Sequence, residues 1–262
     1  MSYKNLTVEH DGHIAIVTFN RPDKANALSY EHLAEIENVA HSFRDEAETR
    51  VVIFTGNGKH FCGGADLTDA GEQYKGPMVL RRRRKRMGER AINAIVDIDQ
   101  ITIAAWHGAA MGGGACIATA CDFRIGAEGC FMQYPEIDIG VNLQWKSLPL
   151  ITHLVGPARA KRLVAGGERI HAGTLLTWGI LDELVSRDEL TSAAQRLARV
   201  YVNKPPIAVQ MIKRSINTIM GALDQSIMHM DSDQTMLAST STDQKEALRA
   251  YLAKTDPTFT GN

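Results

Sequence analysis

Trp106-His107-Gly108-Ala109-Ala110-Met111-Gly112-Gly113-Gly114-Ala115-Cys116 is the stretch that decides the fold, read together with Phe61-Cys62-Gly63-Gly64-Ala65-Asp66-Leu67. Each glycine cluster follows an apolar, β-branched run and leads toward helix-like sequence. Glycine lets a backbone approach another group closely, so the pattern suits N–H groups held near a reacting atom. Two such places can each supply a donor to a carbonyl oxygen that becomes negative during a reaction.

Outward from these clusters, the N-terminal half alternates strands and helices. His13 to Phe19 reads as a strand, closed by the turn Asn20-Arg21-Pro22-Asp23. Ser29 is the expected N-cap of a helix running to about Ala47, with Leu33, Ile36 and Ala40 on its apolar side. Val51-Val52-Ile53-Phe54-Thr55 and Ile101-Thr102-Ile103-Ala104-Ala105 are apolar throughout, as strands covered on both faces are. One helix is expected between them, over Pro77 to Val96. This alternation is α/β architecture.

The last third is helical. Leu190, Ala194, Leu197 and Tyr201 recur at helical spacing, as do Val209, Ile212, Ile216 and Ile219, with Pro205-Pro206 between the two helices. Further helices are expected from Leu223 to Leu237 and from Thr242 to Ala253. The division expected is an α/β core over residues 1–200 and a helical oligomerisation region over residues 201–262.

Composition narrows the function classes. A chain of 262 residues, 44% hydrophobic and 23% charged, can bury a substantial core. A formal net charge of −1 argues against a whole-protein field for nucleic acid or membrane, and no apolar run reaches spanning length. Met1 to Asn5 lack the build of a signal peptide, so a cytoplasmic protein is expected. The four cysteines (Cys62, Cys116, Cys121, Cys130) have no zinc-ligand spacing, so free core thiols and no metal are expected. Gly56-Asn57-Gly58 lacks the third glycine of a dinucleotide loop, and Gly64 stands where a phosphate loop needs lysine. The run Arg81-Arg82-Arg83-Arg84-Lys85-Arg86 spreads around nearly two helical turns. It reads as a solvated or interface-lining face, with anionic-ligand or RNA contact as the alternatives.

Four groups of residues resemble, in order, the motifs of the crotonase superfamily, the enoyl-CoA hydratase/isomerase family. They are Asn20-Arg21-Pro22 with Asn26-Ala27-Leu28, then Phe61 to Leu67, then Gly112-Gly113-Gly114 with Cys121-Asp122-Phe123-Arg124, and finally Pro135-Glu136-Ile137-Asp138-Ile139-Gly140. The resemblance implies a spiral of ββα units with a helical trimerisation region, and hence a homotrimer or a hexamer. It implies an acyl-CoA thioester substrate and no cofactor beyond the coenzyme A that the substrate carries. By position, the N–H groups of Ala65 and Gly113 would bind the thioester oxygen. Lys24, Ala25 and Ala27, with Asp66 and Leu67, match segments that hold the adenine and pantetheine of CoA. Arg21, Lys24 and Lys254 are candidates for its phosphates.

The chain departs from the hydratase pattern at one position. Hydratases of the family carry a glutamate two residues after the triple glycine and a second in the Pro-Glu motif; here these positions are Cys116 and Glu136. Water addition uses two carboxylates naturally, whereas a thiol near its ordinary pKa does this work poorly. Cys116 therefore reads as a packing residue, with a nucleophilic thiol as the alternative. Glu136 alone suffices to move a proton between two carbons; the competing reading is an ion-paired or solvated glutamate. Gln144 stands where other members carry a catalytic carboxylate or nucleophile, and an amide can only hydrogen-bond there. Trp145 lines the acyl pocket or the core. His60 and His107 read as structural, Asp66 as a loop or cap residue, and Asp138 as a second acid if the segment is a strand. The expected function is an acyl-CoA hydratase or isomerase with Glu136 as acid/base. The alternative is a non-catalytic relative that binds CoA or RNA.

Overall fold

The computed structural model describes residues 3–66, 68 and 75–262. Strand β1 (Leu6–Asp11) pairs antiparallel with β2 (Ile14–Phe19). Helix α1 (Tyr30–Ser42) follows, its first turn capped by the Ser29 hydroxyl, which accepts the His32 N–H at 3.1 Å. After β3 (Val51–Gly56) come α2 (Met78–Lys85) and α3 (Met87–Val96), then β4 (Ile101–Trp106) and β5 (Ala109–Met111). The triple glycine opens α4 (Gly113–Ala120), followed by β6 (Phe123–Ala127) and β7 (Phe131–Gln133). Next are α5 (Ser147–Val164), broken at Gly156-Pro157, then β8 (Ile170–His171), α6 (Ala172–Thr177) and β9 (Glu183–Val185). The chain ends in α7 (Leu190–Val202), α8 (Pro206–Met220), α9 (Gln225–Met228), α10 (Asp231–Ala238) and α11 (Thr242–Ala253).

The main sheet has the order β1-β2-β3-β4-β6-β9 and is parallel from β2 onward; a second sheet has the order β5-β7-β8. Successive side chains of a strand point to opposite faces. Val52, Phe54, Ala104 and Trp106 accordingly enter one core with α1, α3 and α4. Val51, Ile53, Ile101, Ile103 and Ala105 enter another, closed by Leu190, Ala193, Ala194 and Ala198 of α7. With both faces covered, neither strand keeps a polar alternation, which is why β3 and β4 read as unbroken apolar runs.

Two expected helices are divided. The segment 77–96 breaks at Arg86, and 223–237 breaks between Met228 and Asp231. Helix α8 differs from α7 in what it buries. Its one buried residue is Lys213, whose Nζ donates to the Gln100 carbonyl at 2.7 Å and pairs with Asp122 at 2.7 Å. Its apolar side chains face out, Ile207 and Ile219 each 73% exposed. Among the described residues no helix is long and apolar enough to cross a membrane.

Candidate active site

The site lies beyond the carboxyl ends of β3 and β4, where ligands of parallel sheets gather. The loop after β3 is zipped onto the segment after β4. Phe61 N–H donates to the His107 carbonyl (2.9 Å), Cys62 N–H to that of Ala109 (3.0 Å), and Met111 N–H to that of Cys62 (3.0 Å). The two glycine clusters touch. A methyl group on Gly64 would stand 2.8 Å from the Met111 oxygen, and one on Gly114 would stand 2.5 Å from the Cys62 oxygen. Here a missing Cβ is what permits the contact.

The turn around Lys24, Ala25 and Ala27 is pinned to the same loop. Ala25 and Asn26 take left-handed conformations (φ 51° and 55°). The Asn26 side chain donates to the Asn57 and His60 carbonyls (2.9 and 2.8 Å), and Gly63 N–H donates to the Ala25 carbonyl (2.8 Å). Arg21 bonds the Ala27 carbonyl and pairs with Asp66 at 2.8 Å, while Lys24 stands 3.9 Å from that carboxylate. Burial pushes the Asp66 carboxyl up, but bonds from Thr68 and Arg21 outweigh it and hold the pKa at about 2. Asp66 therefore fixes its loop, and the Arg21 guanidinium is engaged inside the protein. Leu67 lies outside the described residues.

Leu28 joins this turn to the rest. Its N–H donates to the Gly64 carbonyl (2.8 Å) and its carbonyl accepts the Asp66 N–H (3.0 Å). Both bonds leave residues 64 and 66 toward Leu28, so the N–H of Ala65 points to the opposite side. Gly113 is the first residue of α4, and its N–H has no acceptor within the helix. A methyl group on Gly113 would stand 2.8 Å from Leu28 Cδ1 and 2.2 Å from the Trp145 ring. Ala65, Leu28, Gly113 and Trp145 are thus contiguous.

Glu136 sits next to them, on a short 3-10 turn, Pro135–Ile139, closed by left-handed Gly140. A methyl group on Gly112 would meet its Oε1 at 2.9 Å, and its Oε2 is shielded, with no hydrogen-bond partner among the described residues. Burial, with a smaller contribution from Asp138, pushes the Glu136 carboxyl up to about 7. Among the described residues Glu136 makes no ion pair, which favours the acid–base reading over the ion-paired one. One expectation is corrected: the segment is a 3-10 turn and not a strand, so Asp138 does not share its face. The Asp138 carboxylate lies instead near Gly167.

Cys116 is fully buried. Burial lifts its thiol well above the ordinary range, and nearby Glu136 lifts it further. A helix start lowers a thiol pKa, but here desolvation wins and the group stays protonated. Gln144 is half-buried, with its side-chain Oε1 shielded and unbonded. His107 bonds the Gly58 carbonyl (2.9 Å) with its pKa lowered to about 4, mainly by burial, and His60 Nδ1 accepts the Ala109 N–H (3.1 Å). Both histidines brace the loops. In the arginine run, Arg82 pairs with Asp233, Arg86 with Glu89, and Arg84 donates to the Lys75 carbonyl.

The chain matches the enoyl-CoA hydratase/isomerase family over residues 9–262. It belongs to that family. It is similar to the short-chain-enoyl-CoA hydratase of Clostridium acetobutylicum (30% identical, covering 97% of each chain). It is also similar to the 1,2-epoxyphenylacetyl-CoA isomerase of Escherichia coli (28% identical, covering 95% of each). In fold it follows an enoyl-CoA hydratase structure from Mycobacterium avium subsp. paratuberculosis, with a TM-score of 0.87 at 24% identity over 99% of this chain and 100% of that one. This family member is therefore an acyl-CoA enzyme of the α/β crotonase fold.

Two residues of the site escaped sequence reasoning. Leu28 lies between the Ala65 loop and Gly113, and Gly88, at the start of α3, receives the Trp145 ring. Leu28 closes the Asn26-Ala27-Leu28 motif, but its apolar side chain gave no sign of a place in the site. Gly88 did give one: a glycine inside an arginine-rich helical pattern carries a helix penalty that a packing contact explains.

Proposed function

We propose that this enzyme moves a proton between two carbons of an enoyl-CoA thioester, with Glu136 as its single acid–base group and the N–H groups of Ala65 and Gly113 binding the thioester oxygen. The carrying observation is the pair at positions 136 and 116. One is a half-buried carboxyl with its Oε2 shielded from water and its pKa raised to about 7, and the other is a buried thiol that stays protonated. A general base works best when its pKa lies near the operating pH.

Starting from a 3-enoyl thioester, the Glu136 carboxylate takes a proton from carbon 2. The electron pair spreads onto the thioester oxygen, where the two N–H groups and the positive end of α4 stabilise it. Protonated Glu136 returns the proton to carbon 4, leaving the double bond between carbons 2 and 3. Lys24, Ala25, Ala27, Asp66 and Leu67 serve the CoA portion in this reading; Cys116, Gln144 and Trp145 serve the acyl portion. Beyond the substrate's own CoA, no cofactor enters.

The test is the ratio of 3-hexenoyl-CoA isomerisation to crotonyl-CoA hydration. Isomerisation is expected to dominate, and Glu136→Gln to lower it by at least ~10²-fold, the usual loss for a removed general base. Efficient hydration that survives Glu136→Gln overturns the reading. We propose also that other copies of this chain cover the outward apolar face of α8 in a trimer or hexamer. The exposure of Ile207, Met211 and Ile219 along one helix supports this. Light scattering that reads a monomer at micromolar concentration removes this part.

A further inference from the structure

We propose that the indole of Trp145 is the end wall of the acyl site and restricts the enzyme to short acyl chains. The inference rests on the proposed placement of the thioester between Ala65, Gly113 and Glu136, and adds to it the size of the acyl group.

The ring lies on two residues that have no side chain. A methyl group on Gly88 would stand 1.9 Å from its Cε2, and one on Gly113 would stand 2.2 Å from its Cζ3. The indole therefore occupies the space where these two positions would ordinarily carry a Cβ, between the starts of α3 and α4. Adjacent Gly112 meets the Glu136 carboxylate in the same way, at 2.9 Å. Two neighbouring residues of one helix start thus face the base and the indole. An acyl chain whose oxygen is bound at Gly113 has its first carbons between the two groups, and a longer chain runs into the ring.

The wall is braced. Trp145 and Lys146 are consecutive non-glycine residues in left-handed conformation (φ 63° and 56°), which persists only when the surroundings impose it. Those surroundings are visible. Lys146 N–H donates to buried Asp231 of α10 at 2.9 Å, and its Nζ pairs with buried Glu89 of α3 at 3.4 Å. Arg86 holds the same Glu89 at 3.1 Å. The backbone that carries the indole is thus anchored to α3 and α10 through Lys146, so each methylene that meets the ring is rejected on the order of tenfold or more.

The experiment is calorimetric binding of butyryl-, octanoyl- and dodecanoyl-CoA, saturated thioesters with no double bond to move. The unmodified protein is expected to bind butyryl-CoA at least a hundredfold more tightly than dodecanoyl-CoA. In Trp145→Ala that preference is expected to shrink at least tenfold. Trp145→Phe, which keeps a smaller ring on the two glycines, is expected to fall between them and serves if the alanine variant does not fold. Equal affinity for all three thioesters in the unmodified protein overturns the inference. So does an unchanged preference in a folded variant with normal circular dichroism. Chain-length selection in binding without turnover of any enoyl-CoA overturns the reaction assigned above and leaves this inference standing. Binding of no thioester overturns both.

Discussion

Glu136 and Cys116 occupy two parts of one site, the 3-10 turn after β7 and the first turn of α4, and the same force acts on both. Cys116 is buried and Glu136 has its Oε2 shielded from water, and such desolvation disfavours the charged form of an acid. The carboxyl begins at 4.5 and is pushed to about 7, where it both accepts and donates protons at neutral pH. The thiol begins at 9.0, and a push in the same direction carries it out of the working range. Desolvation is the largest cause in both, and in the proposed reading it suits one group to act as a base and leaves the other as packing. What separates them is the starting value.

The comparison can be broken by making the two positions alike. Cys116→Glu gives the two-carboxylate pattern and is expected to raise hydration relative to isomerisation by about tenfold or more, a fraction of the ~10²-fold or larger effect of a fully positioned general acid–base group. Two close carboxylates disfavour joint ionisation, so the pH at which isomerisation reaches half its maximum is expected to move upward. The larger side chain enters a fully buried position and costs about 1–3 kcal/mol of stability, which a melting curve reads separately. An unchanged activity ratio in a folded Cys116→Glu protein means that position 116 does not face the reacting carbons.

The same contrast explains what the sequence could and could not disclose. Residue types and their order pointed to Glu136, Ala65 and Gly113, because motifs are local. The apolar runs of β3 and β4 and the Ser29 cap are local too, and each follows from period or capping chemistry. Other features depend on distant partners. Strand β1 was missed because most of its residues are exposed and an edge strand carries little apolar signal. The break at Arg86 was missed because every residue of the run 81–86 is a good helix former. Asp138 was placed on a strand face because the turn geometry of Pro135–Ile139 is not written in an alternation of polar and apolar residues. The seat of Trp145 on Gly88 joins residues far apart in the chain, and no spacing rule connects them. The value near 7 at Glu136 is likewise a property of burial that a motif does not carry.

A smaller effect sharpens the contrast through stability. Because the folded pKa of Glu136 is raised, from 4.5 to about 7, the native state retains a proton that the unfolded chain has already lost between those values. Below pH 4.5 both states are protonated and the residue contributes no pH dependence. From pH 4.5 to about 7 stability therefore falls, by up to about 3 kcal/mol in all, and above 7, where the native state ionises too, it falls no further on this residue's account. Glu136→Gln is neutral throughout and escapes this loss. Its melting temperature relative to the parent is therefore expected to climb by several degrees, at most about ten, between pH 5 and pH 8. Cys116→Ala is the control, since a thiol protonated in both states over that range contributes no slope; its difference from the parent is expected to stay flat. A Glu136→Gln difference that is equally flat would mean that the carboxyl is not held near neutrality, and the acid–base role assigned to it would lose its physical basis.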